Sequence, residues 1–198
     1  PNQDAEQGRD ATDSDPSDGY AGFSFTKLDS EGQPLADQTV DYATNPWSCV
    51  KDNVTGLVWE VKTNDNGLRD KDWSFSWYEP NLANGGYVGI ASGPGSCDLA
   101  GNCNTSAYAT RVNTSNLCGF NDWRLPSSQE LMGIALIGST PSIDQNFFPN
   151  TDTASPYWTN ETFAIANTDA WEVIFSSATS YGGVPKYAPL HVRLVRGQ

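Results

Sequence analysis

Three stretches of the chain have the apolar pattern that is typical of β-strands. In the clearest of them, Leu57, Trp59 and Val61 fall on one face. Residues 170–175 are rich in aromatic and β-branched side chains, and residues 191–196 alternate apolar and basic ones. The sequence therefore predicts strands in both halves of the chain.

Two further stretches have the spacing of helices. Residues 105–117 place Tyr108 and Val112 on one face, and Gly119 follows as a helix end. Apolar residues at helical spacing recur from Leu131 to Gly138. The sequence therefore predicts two helices that follow each other closely.

The corner between the two helices carries the signals of a helix start. Pro126 has no amide hydrogen and a fixed φ, so it suits the approach to a helix rather than its interior. Ser127 and Glu130 have the spacing of a capping box, in which each side chain accepts a hydrogen bond from the other residue's backbone amide. Trp123, just before this corner, is predicted to be buried. We interpret the corner as a folding element rather than a reactive site.

Three segments between these elements have the composition of loops and turns: residues 33–46, 79–103 and 176–183. The second of them is unusually long for a connection inside one domain. Loops of that length are either functional or held in place by other contacts. Residues 79–103 are therefore a candidate for meeting a partner.

The chain begins with an acidic arm, residues 1–22, whose composition is typical of a solvated segment. Residues 23–46 add a strand and a connecting segment, and residues 47–198 form the main domain. The arm has few apolar side chains to offset the entropy of ordering it, so it must gain contacts from its own domain or from a neighbouring copy. The residues predicted to mediate such assembly are Tyr20, Phe23, Phe25 and Leu28.

The net charge of −13 limits the classes of partner. Nucleic acids, anionic membrane surfaces and sulfated polysaccharides are bound through clustered Lys and Arg, which this chain lacks. No stretch approaches the roughly 20 apolar residues needed to cross a bilayer. The chain starts at Pro1 rather than Met, which predicts a mature form from which a signal segment has been removed. We expect a secreted or cell-surface protein.

Four cysteines without a paired CxxC spacing favour two disulfides over a zinc site. We predict that Cys49 pairs with Cys118 and that Cys97 pairs with Cys103. In the chain-entropy model the long bridge contributes about 4 kcal/mol and the short one about 2.5 kcal/mol. Four cysteines allow three pairings, and the other two remain open at this stage.

One predicted loop carries four oxygen-bearing side chains of the kind that Ca²⁺ prefers. They are Asp65, Asn66, Asp70 and Asp72. Their spacing does not follow that of an EF-hand loop, and turns rich in Asn and Asp form without any ion. We predict a protein that requires no cofactor, with calcium as the candidate ion for this loop.

Four aromatic residues near the long loop are candidates for stacking on sugar rings. They are Trp73, Trp77, Tyr78 and Tyr87. The alternative is that they pack in the core, as tryptophan does in most small domains. The sole histidine, His191, precedes the terminal strand, and we predict a structural role for it rather than catalysis.

A series of short motifs runs in order along the chain, from about Trp47 to Gly197: Asp52-Asn53-Val54-Thr55-Gly56-Leu57-Val58-Trp59, Leu117-Cys118-Gly119, Asp122-Trp123-Arg124-Leu125-Pro126, Ile143-Asp144, Phe148-Pro149, Tyr157-Trp158 and Val192-Arg193-Leu194-Val195-Arg196-Gly197. This series resembles the bacterial family named for the C-terminal domain of the Legionella collagen-like adhesin. The Arg-Leu-Pro-Ser corner is also similar to that of formylglycine-generating enzymes and other C-type-lectin-like domains. The resemblance implies an α+β, C-type-lectin-like fold, with two helices packed on a small, twisted, mostly antiparallel sheet with long loops.

The named member of that family is a surface adhesin that binds sulfated glycans. The resemblance therefore implies an exported, non-enzymatic, adhesin-like binding module whose partner is a surface glycan or protein. The alternative is a self-assembling subunit of an extracellular filament or surface assembly, a homo-oligomer joined through the N-terminal arm. A third hypothesis is an enzyme related to formylglycine-generating enzymes, which depend on cysteines near the C-terminal end, whereas the last cysteine here is Cys118.

Overall fold

The computed structural model of the chain describes residues 22–82 and 86–197. Within these two ranges the chain forms two antiparallel sheets, two α-helices and a short 3-10 helix, which confirms the predicted α+β class. No helix in the described ranges is long and apolar enough to span a membrane.

The strands divide between two sheets rather than forming the single sheet that was expected. The first sheet has the order β1 (Phe25–Leu28), β2 (Cys49–Asp52), β3 (Val58–Glu60) and β7 (Val195–Arg196). The second has the order β4 (Pro156–Thr162), β5 (Asp169–Ile174) and β6 (Thr179–Pro185). The sheets meet along the terminal segment, because His191 pairs with Tyr157 of β4 before Val195 pairs with Trp59 of β3.

The first sheet lies between two hydrophobic clusters. Alternate side chains point to the first cluster: Phe25, Val50, Trp59 and Val195. The side chains between them join the second cluster: Leu28, Cys49 and Val58. Since both faces of this sheet are covered, it forms the centre of the molecule.

The two helices lie on opposite sides of this sheet. α1 (Thr105–Thr114) places Tyr108 and Val112 in the second cluster, as the sequence predicted. A 3-10 helix (Leu117–Gly119) follows it, and α2 (Ser128–Met132) contributes Leu131 to the first cluster. Each helix therefore covers a different core.

The predicted capping box at the start of α2 is present. Ser127 Oγ accepts a hydrogen bond from the Glu130 N–H at 3.1 Å, and Glu130 Oε2 accepts one from the Ser127 N–H at 2.7 Å. These two bonds satisfy backbone amides that the helix itself leaves without partners. The local sequence signal at this corner is confirmed.

α2 is shorter than predicted, because it ends at Gly133 rather than near Gly138. The Gly133 N–H donates to the carbonyls of the preceding turn and closes the helix. Ile134 and Ala135 are still buried in the first cluster. Their apolar spacing therefore reflects core packing in an irregular segment and not a longer helix.

Strand β6 was predicted as part of a turn, and this prediction was wrong. The misleading signal was the pair Gly182 and Gly183. In the structure Phe163 lies against this strand, and a Cβ atom on Gly182 would come within 2.4 Å of its ring. The glycines therefore make room for an aromatic side chain on a strand rather than forming a turn.

The N-terminal segment, residues 22–47, is an integral part of the domain. β1 pairs in antiparallel register with β2, and Phe25 and Leu28 are 3% and 4% exposed. Phe23 stacks on Phe25 with their ring centroids 5.1 Å apart. These three residues, predicted to mediate assembly between copies, pack into the chain's own core, and their role in assembly stays a prediction. Tyr20 lies outside the described residues.

Both predicted disulfides are present. Cys49 pairs with Cys118, with their Cα atoms 6.5 Å apart, and Cys97 pairs with Cys103, at 5.6 Å. The first bridge joins β2 to the 3-10 helix. The second closes a ring within residues 79–103, which we call the stapled loop.

A buried polar network connects α1 to the centre of the first sheet. Tyr108 donates its hydroxyl hydrogen to Glu60, and Lys62 Nζ donates to the Tyr108 oxygen at 2.8 Å and to Glu60 Oε1 at 3.1 Å. Arg193 donates to the Glu60 carbonyl at 2.6 Å. All four residues are at most 1% exposed. Buried charges persist only when they are paired in this way.

Candidate functional site

The candidate site is a cleft of about 370 Å³ on the outer face of α1, which we call the α1 cleft. Its helical wall consists of residues three and four positions apart, which share one face: Ser106, Ala109, Thr110 and Asn113. The opposite wall comes from three parts of the chain: residues 77–81, residues 123–125 and Asn160 of β4. Four separate segments thus converge on one concave surface.

Tyr78 is held at the edge of the α1 cleft by Thr105, the first residue of α1. Thr105 Oγ1 accepts a hydrogen bond from the Tyr78 N–H and donates one to the Tyr78 carbonyl, both at 2.9 Å. Because both main-chain polar groups of Tyr78 are occupied, its backbone is fixed relative to the helix. Its half-buried side chain lines the cleft.

Asn113 fixes the opposite end of the α1 cleft. Its amide accepts a hydrogen bond from the Trp123 N–H at 2.7 Å and donates one to the Trp123 carbonyl at 2.9 Å. The Trp123 ring is 2% exposed, and its indole N–H donates to the Leu117 carbonyl at 3.2 Å. The corner predicted from sequence is therefore the rigid support of this end.

Arg124 beside the cleft already has an anionic partner. Its guanidinium donates to both oxygens of Glu130, at 2.7 and 2.9 Å. These hydrogen bonds hold the pKa of Glu130 below its ordinary value and raise the pKa of Arg124. A guanidinium engaged by two parallel bonds is not free to bind an anionic ligand strongly.

The loop wall of the α1 cleft is fixed from beneath by a buried lysine. Lys186 Nζ lies 4.0 Å from the centroid of the Trp77 ring and donates to the Tyr87 carbonyl at 2.6 Å. The Glu79 N–H donates to the Val88 carbonyl at 2.8 Å. The stapled loop is therefore fastened to the domain behind the cleft-lining residues.

The surface of the α1 cleft offers mainly uncharged hydrogen-bonding groups. Asn81, Thr110 and Asn160 are exposed, and Ser106 is half-buried. The described residues that line the cleft include neither histidine nor cysteine, the side chains used most often for acid–base and nucleophilic chemistry. The arrangement is suited to holding a polar ligand by hydrogen bonds and by contact with Tyr78.

The family model of the Lcl C-terminal domain matches residues 48–196. The chain belongs to this family. All residues that line the α1 cleft lie inside the matched segment, whereas β1 precedes it. No curated protein and no solved structure matches the chain, so the C-type-lectin-like assignment stays a prediction.

Two of the four predicted sugar-stacking residues line the α1 cleft of this Lcl C-terminal domain. Tyr78 is one of them and is half-buried. Trp77 is 0% exposed, its indole N–H donates to the Thr159 carbonyl at 2.8 Å, and Lys186 covers its ring. Trp77 therefore forms the floor as a core residue and offers no ring face to a sugar.

The other two predicted stacking residues lie outside the α1 cleft. Trp73 is half-buried, and its indole N–H donates to the Gly67 carbonyl at 2.6 Å. Tyr87 is 37% exposed on the stapled loop, above Lys186. Of the four predicted residues, Tyr78 is the one that the geometry places in a ligand-sized concave surface.

The four predicted calcium ligands lie on one loop, where Asp70 organises the backbone. Its carboxylate accepts hydrogen bonds from the N–H groups of Asp65 and Asn66, both at 2.6 Å, and of Asp72, at 2.9 Å. Burial alone would raise the pKa of Asp70, but these three donors outweigh it and hold the pKa below its ordinary value. The described parts of the chain contain no group of three or more acidic, histidine or cysteine side chains arranged to hold a metal ion. Calcium binding stays a prediction.

Sequence reasoning missed the helical wall of the α1 cleft. Ser106, Thr110 and Asn113 recur at intervals of four and three residues, opposite the buried Tyr108 and Val112. That spacing is itself a signal, because small polar residues along one exposed helix face leave room for a ligand. The contribution of β4 to the site has no comparable local signal.

Proposed function

We propose that this Lcl C-terminal domain is an exported, non-enzymatic, adhesin-like module that binds a glycan in the α1 cleft. The observation that carries the proposal is the convergence of Tyr78 with small uncharged polar side chains on a rigid concave surface. Sugars are bound by hydrogen bonds to their hydroxyls and by contact between their apolar faces and aromatic rings. The family to which the chain belongs supports a surface role.

The electrostatics favour an uncharged glycan over a sulfated one. Arg124 is engaged by Glu130, and Glu79 adds a negative charge to the rim of the α1 cleft. The net charge of −13 further opposes the approach of polyanions. We therefore expect neutral oligosaccharides to bind better than sulfated ones of the same length.

Secretion or surface display is supported by the cysteines. All four are paired in the two disulfides, which persist in oxidising compartments. The removal of a signal segment stays a prediction. Assembly into homo-oligomers through the N-terminal arm also stays a prediction.

A glycan array tests the proposal with two variants on the same helix. Thr110→Trp places a large ring in the α1 cleft, whereas Thr114→Trp places the same ring one turn further along the exposed surface. Both threonines donate their hydroxyl hydrogen to the carbonyl four residues earlier, so the two substitutions remove the same local bond. We expect binding by the wild type and by Thr114→Trp, and its loss in Thr110→Trp.

The array is run once with calcium and once with a chelator. Loss of binding in the chelator would support the calcium prediction, whereas equal binding would show that glycan binding does not require calcium. Absence of glycan binding under both conditions, or equal binding by Thr110→Trp and the wild type, would remove the α1 cleft as the site.

A further inference from the structure

A second cleft, of about 400 Å³, lies on the other side of the molecule, and we call it the β1 cleft. It is formed where residues 38–42 of the N-terminal segment face residues 144–147. Two further residues complete its lining: Lys27, which belongs to β1, and Trp47, which precedes β2. Much of this cleft therefore precedes residue 48, where the match to the Lcl C-terminal domain begins.

Lys27 is the central group of the β1 cleft. It is 4% exposed, and its Nζ lies 4.2 Å from the Trp47 ring centroid and 5.2 Å from that of Phe147. The Val40 carbonyl accepts a hydrogen bond from Nζ at 2.8 Å. Among residues 22–82 and 86–197 no second oxygen acceptor lies within hydrogen-bond distance of this ammonium. An ammonium has three N–H donors, so this one retains the capacity for a further acceptor.

Two carboxylates line the same cleft. Asp41 Oδ1 accepts a hydrogen bond from the Thr44 N–H at 2.8 Å, and Asp144 Oδ1 accepts one from the Asn146 N–H at 2.9 Å. A carboxylate has about four lone-pair positions, so Asp144 keeps acceptor capacity beyond that one bond. Asp41 also interacts with the Thr44 hydroxyl and the Ala43 N–H, so it keeps less. Neither carboxylate forms an ion pair with Lys27 within 4.0 Å in the described structure.

The charges of the β1 cleft select the class of ligand. Asp41 and Asp144 repel a simple anion that would approach Lys27, and Lys27 repels a simple cation that would approach the carboxylates. A ligand that carries one negative and one positive group satisfies both centres at once. The volume lies within the range of small-molecule sites, and the amides of Gln145 and Asn146 offer partners for peptide groups.

We propose that the β1 cleft binds a short peptide in its zwitterionic form. The peptide's terminal carboxylate accepts a hydrogen bond from Lys27, and its terminal ammonium donates to Asp41 or Asp144. The proposal is independent of glycan binding, because the α1 cleft shares no lining residue with this site.

Three dipeptides of one sequence test the proposal on the full chain. Free alanyl-alanine carries both charges, its N-acetyl derivative lacks the ammonium, and its amide lacks the carboxylate. Titrations are followed by the indole N–H resonance of Trp47, whose Nε1 donates to the Phe147 carbonyl at 2.9 Å. The indole resonance of Trp123 reports on the α1 cleft. We expect the free dipeptide to shift the Trp47 signal and not that of Trp123, and each blocked form to bind roughly tenfold or more weakly.

Two variants assign the charges separately. In Lys27→Met the free dipeptide should bind no better than its amide, because the partner of the carboxylate is gone. In Asp41→Asn with Asp144→Asn the free dipeptide should bind no better than its acetylated form. Lys186→Met is the matched control, because it removes another buried lysine that does not line the cleft, and it should leave all three affinities unchanged.

Several results would overturn the proposal. One is equal affinity for the free and blocked dipeptides. Another is the absence of any Trp47 shift up to about 10 mM dipeptide, the limit of very weak binding. A third is an unchanged preference for the free form in both charge variants, measured on samples whose spectra show them to be folded. Failure of glycan binding at the α1 cleft would affect none of these measurements.

Discussion

The N-terminal segment and the stapled loop are two irregular regions that lie on opposite cores and are held by different means. The N-terminal segment, residues 22–47, is anchored by side chains that enter the first cluster, above all Phe25. The stapled loop, residues 79–103, is anchored by the Cys97–Cys103 bridge and by an ion pair between Asp98 and Arg111 of α1. Hydrophobic burial stabilises the first region, and covalent and polar contacts stabilise the second.

Each region is also fastened by a lysine over a tryptophan. Lys27 lies over Trp47 and donates to a carbonyl of the N-terminal segment, and Lys186 lies over Trp77 and donates to a carbonyl of the stapled loop. Lys186 has a second acceptor, Thr162 Oγ1, at 3.0 Å. Lys27 has none among the described residues and lines a cleft instead.

This difference separates a structural lysine from one that is available to a ligand. A buried ammonium loses its hydration, so each unused N–H raises the free energy of the folded state until an acceptor reaches it. Lys186 uses two of its three N–H donors within the protein. Lys27 uses one, and a ligand in the β1 cleft can supply a further acceptor.

The largest expected effect is the loss of hydrophobic anchoring in the N-terminal segment. Phe25→Ala removes a ring that contacts Phe147 and Phe148, each with centroids 5.3 Å away. We expect the free energy of unfolding to fall by about 3–5 kcal/mol, as for other buried Phe→Ala changes. Urea denaturation measures this free energy.

Val54→Ala is the control, since Val54 is 55% exposed and its loss should change the free energy of unfolding by less than about 0.5 kcal/mol. A drop below about 1 kcal/mol for Phe25→Ala would show that the segment is not part of the folding unit.

The next effect concerns the staple of the second region. Replacing Cys97 and Cys103 together by serine should lower the free energy of unfolding by about 2.5 kcal/mol in the chain-entropy model. Replacing Cys49 and Cys118 should lower it by about 4 kcal/mol, because that bridge closes a longer segment, with a sequence separation of 69 against 6. Denaturation of both double variants gives the comparison. A larger loss from the short staple would mean that the stapled loop contributes packing that the chain-entropy model ignores.

A smaller and more local effect distinguishes the two lysines. Lys186→Met removes two charge-assisted hydrogen bonds and should speed amide exchange of Glu79 and Ile90, which bond across the stapled loop. Lys27→Met removes one such bond and should speed exchange of Leu35, whose N–H donates to the Lys27 carbonyl. We expect roughly tenfold faster exchange for Lys186→Met, equivalent to about 1.4 kcal/mol, and less for Lys27→Met. Equal acceleration of amide exchange in the two variants would contradict the proposed difference between the two lysines.

The sequence predicted those features whose cause is local. The capping box of Ser127 and Glu130 and the shared face of Tyr108 and Val112 depend on spacings of three and four residues, and both are confirmed. Strand β6 escaped prediction because the reason for its glycines is Phe163, which directly follows β4. The order of residue types along the chain does not reveal a contact between residues that are separated in the sequence.

The candidate sites show the same limit more strongly. Tyr78 was predicted as a ligand contact, but Trp77, beside it in sequence, has the opposite environment. The burial of Lys27 depends on Phe147, which is distant in the sequence. From the sequence alone, Lys27 therefore looks like an ordinary polar residue of an edge strand. Long-range packing decides which polar residues become available to a ligand, and a single sequence does not contain that information in readable form.

The most gradual predicted effect uses a third buried lysine as the reference for the other two. Lys62 is fully enclosed, and burial lowers its pKa from 10.5 to about 8, although Glu60 opposes the shift. Between pH 8 and 10 the unfolded chain therefore holds a proton that the folded chain has released, so the free energy of unfolding rises with pH across this window. Above pH 10 the sign reverses, because burial raises the pKa of Tyr108 and its ionisation then favours the unfolded chain. We expect a stability maximum near pH 10 and a rise toward it of at most about 1.4 kcal/mol per pH unit.

Denaturation midpoints measured at intervals from pH 7 to 11 test this expectation in the wild type and in the methionine variants of the three lysines. Lys62→Met should flatten the rise most, because it removes the group whose pKa falls furthest. Burial also lowers the pKa of Lys27 and of Lys186, so their methionine variants should flatten the rise to a smaller extent. Three carboxylates, Asp144, Asp37 and Asp41, oppose the shift at Lys27, whereas Asp169 alone does so at Lys186. A wild-type profile that falls steadily above pH 8 would contradict the assigned direction for Lys62.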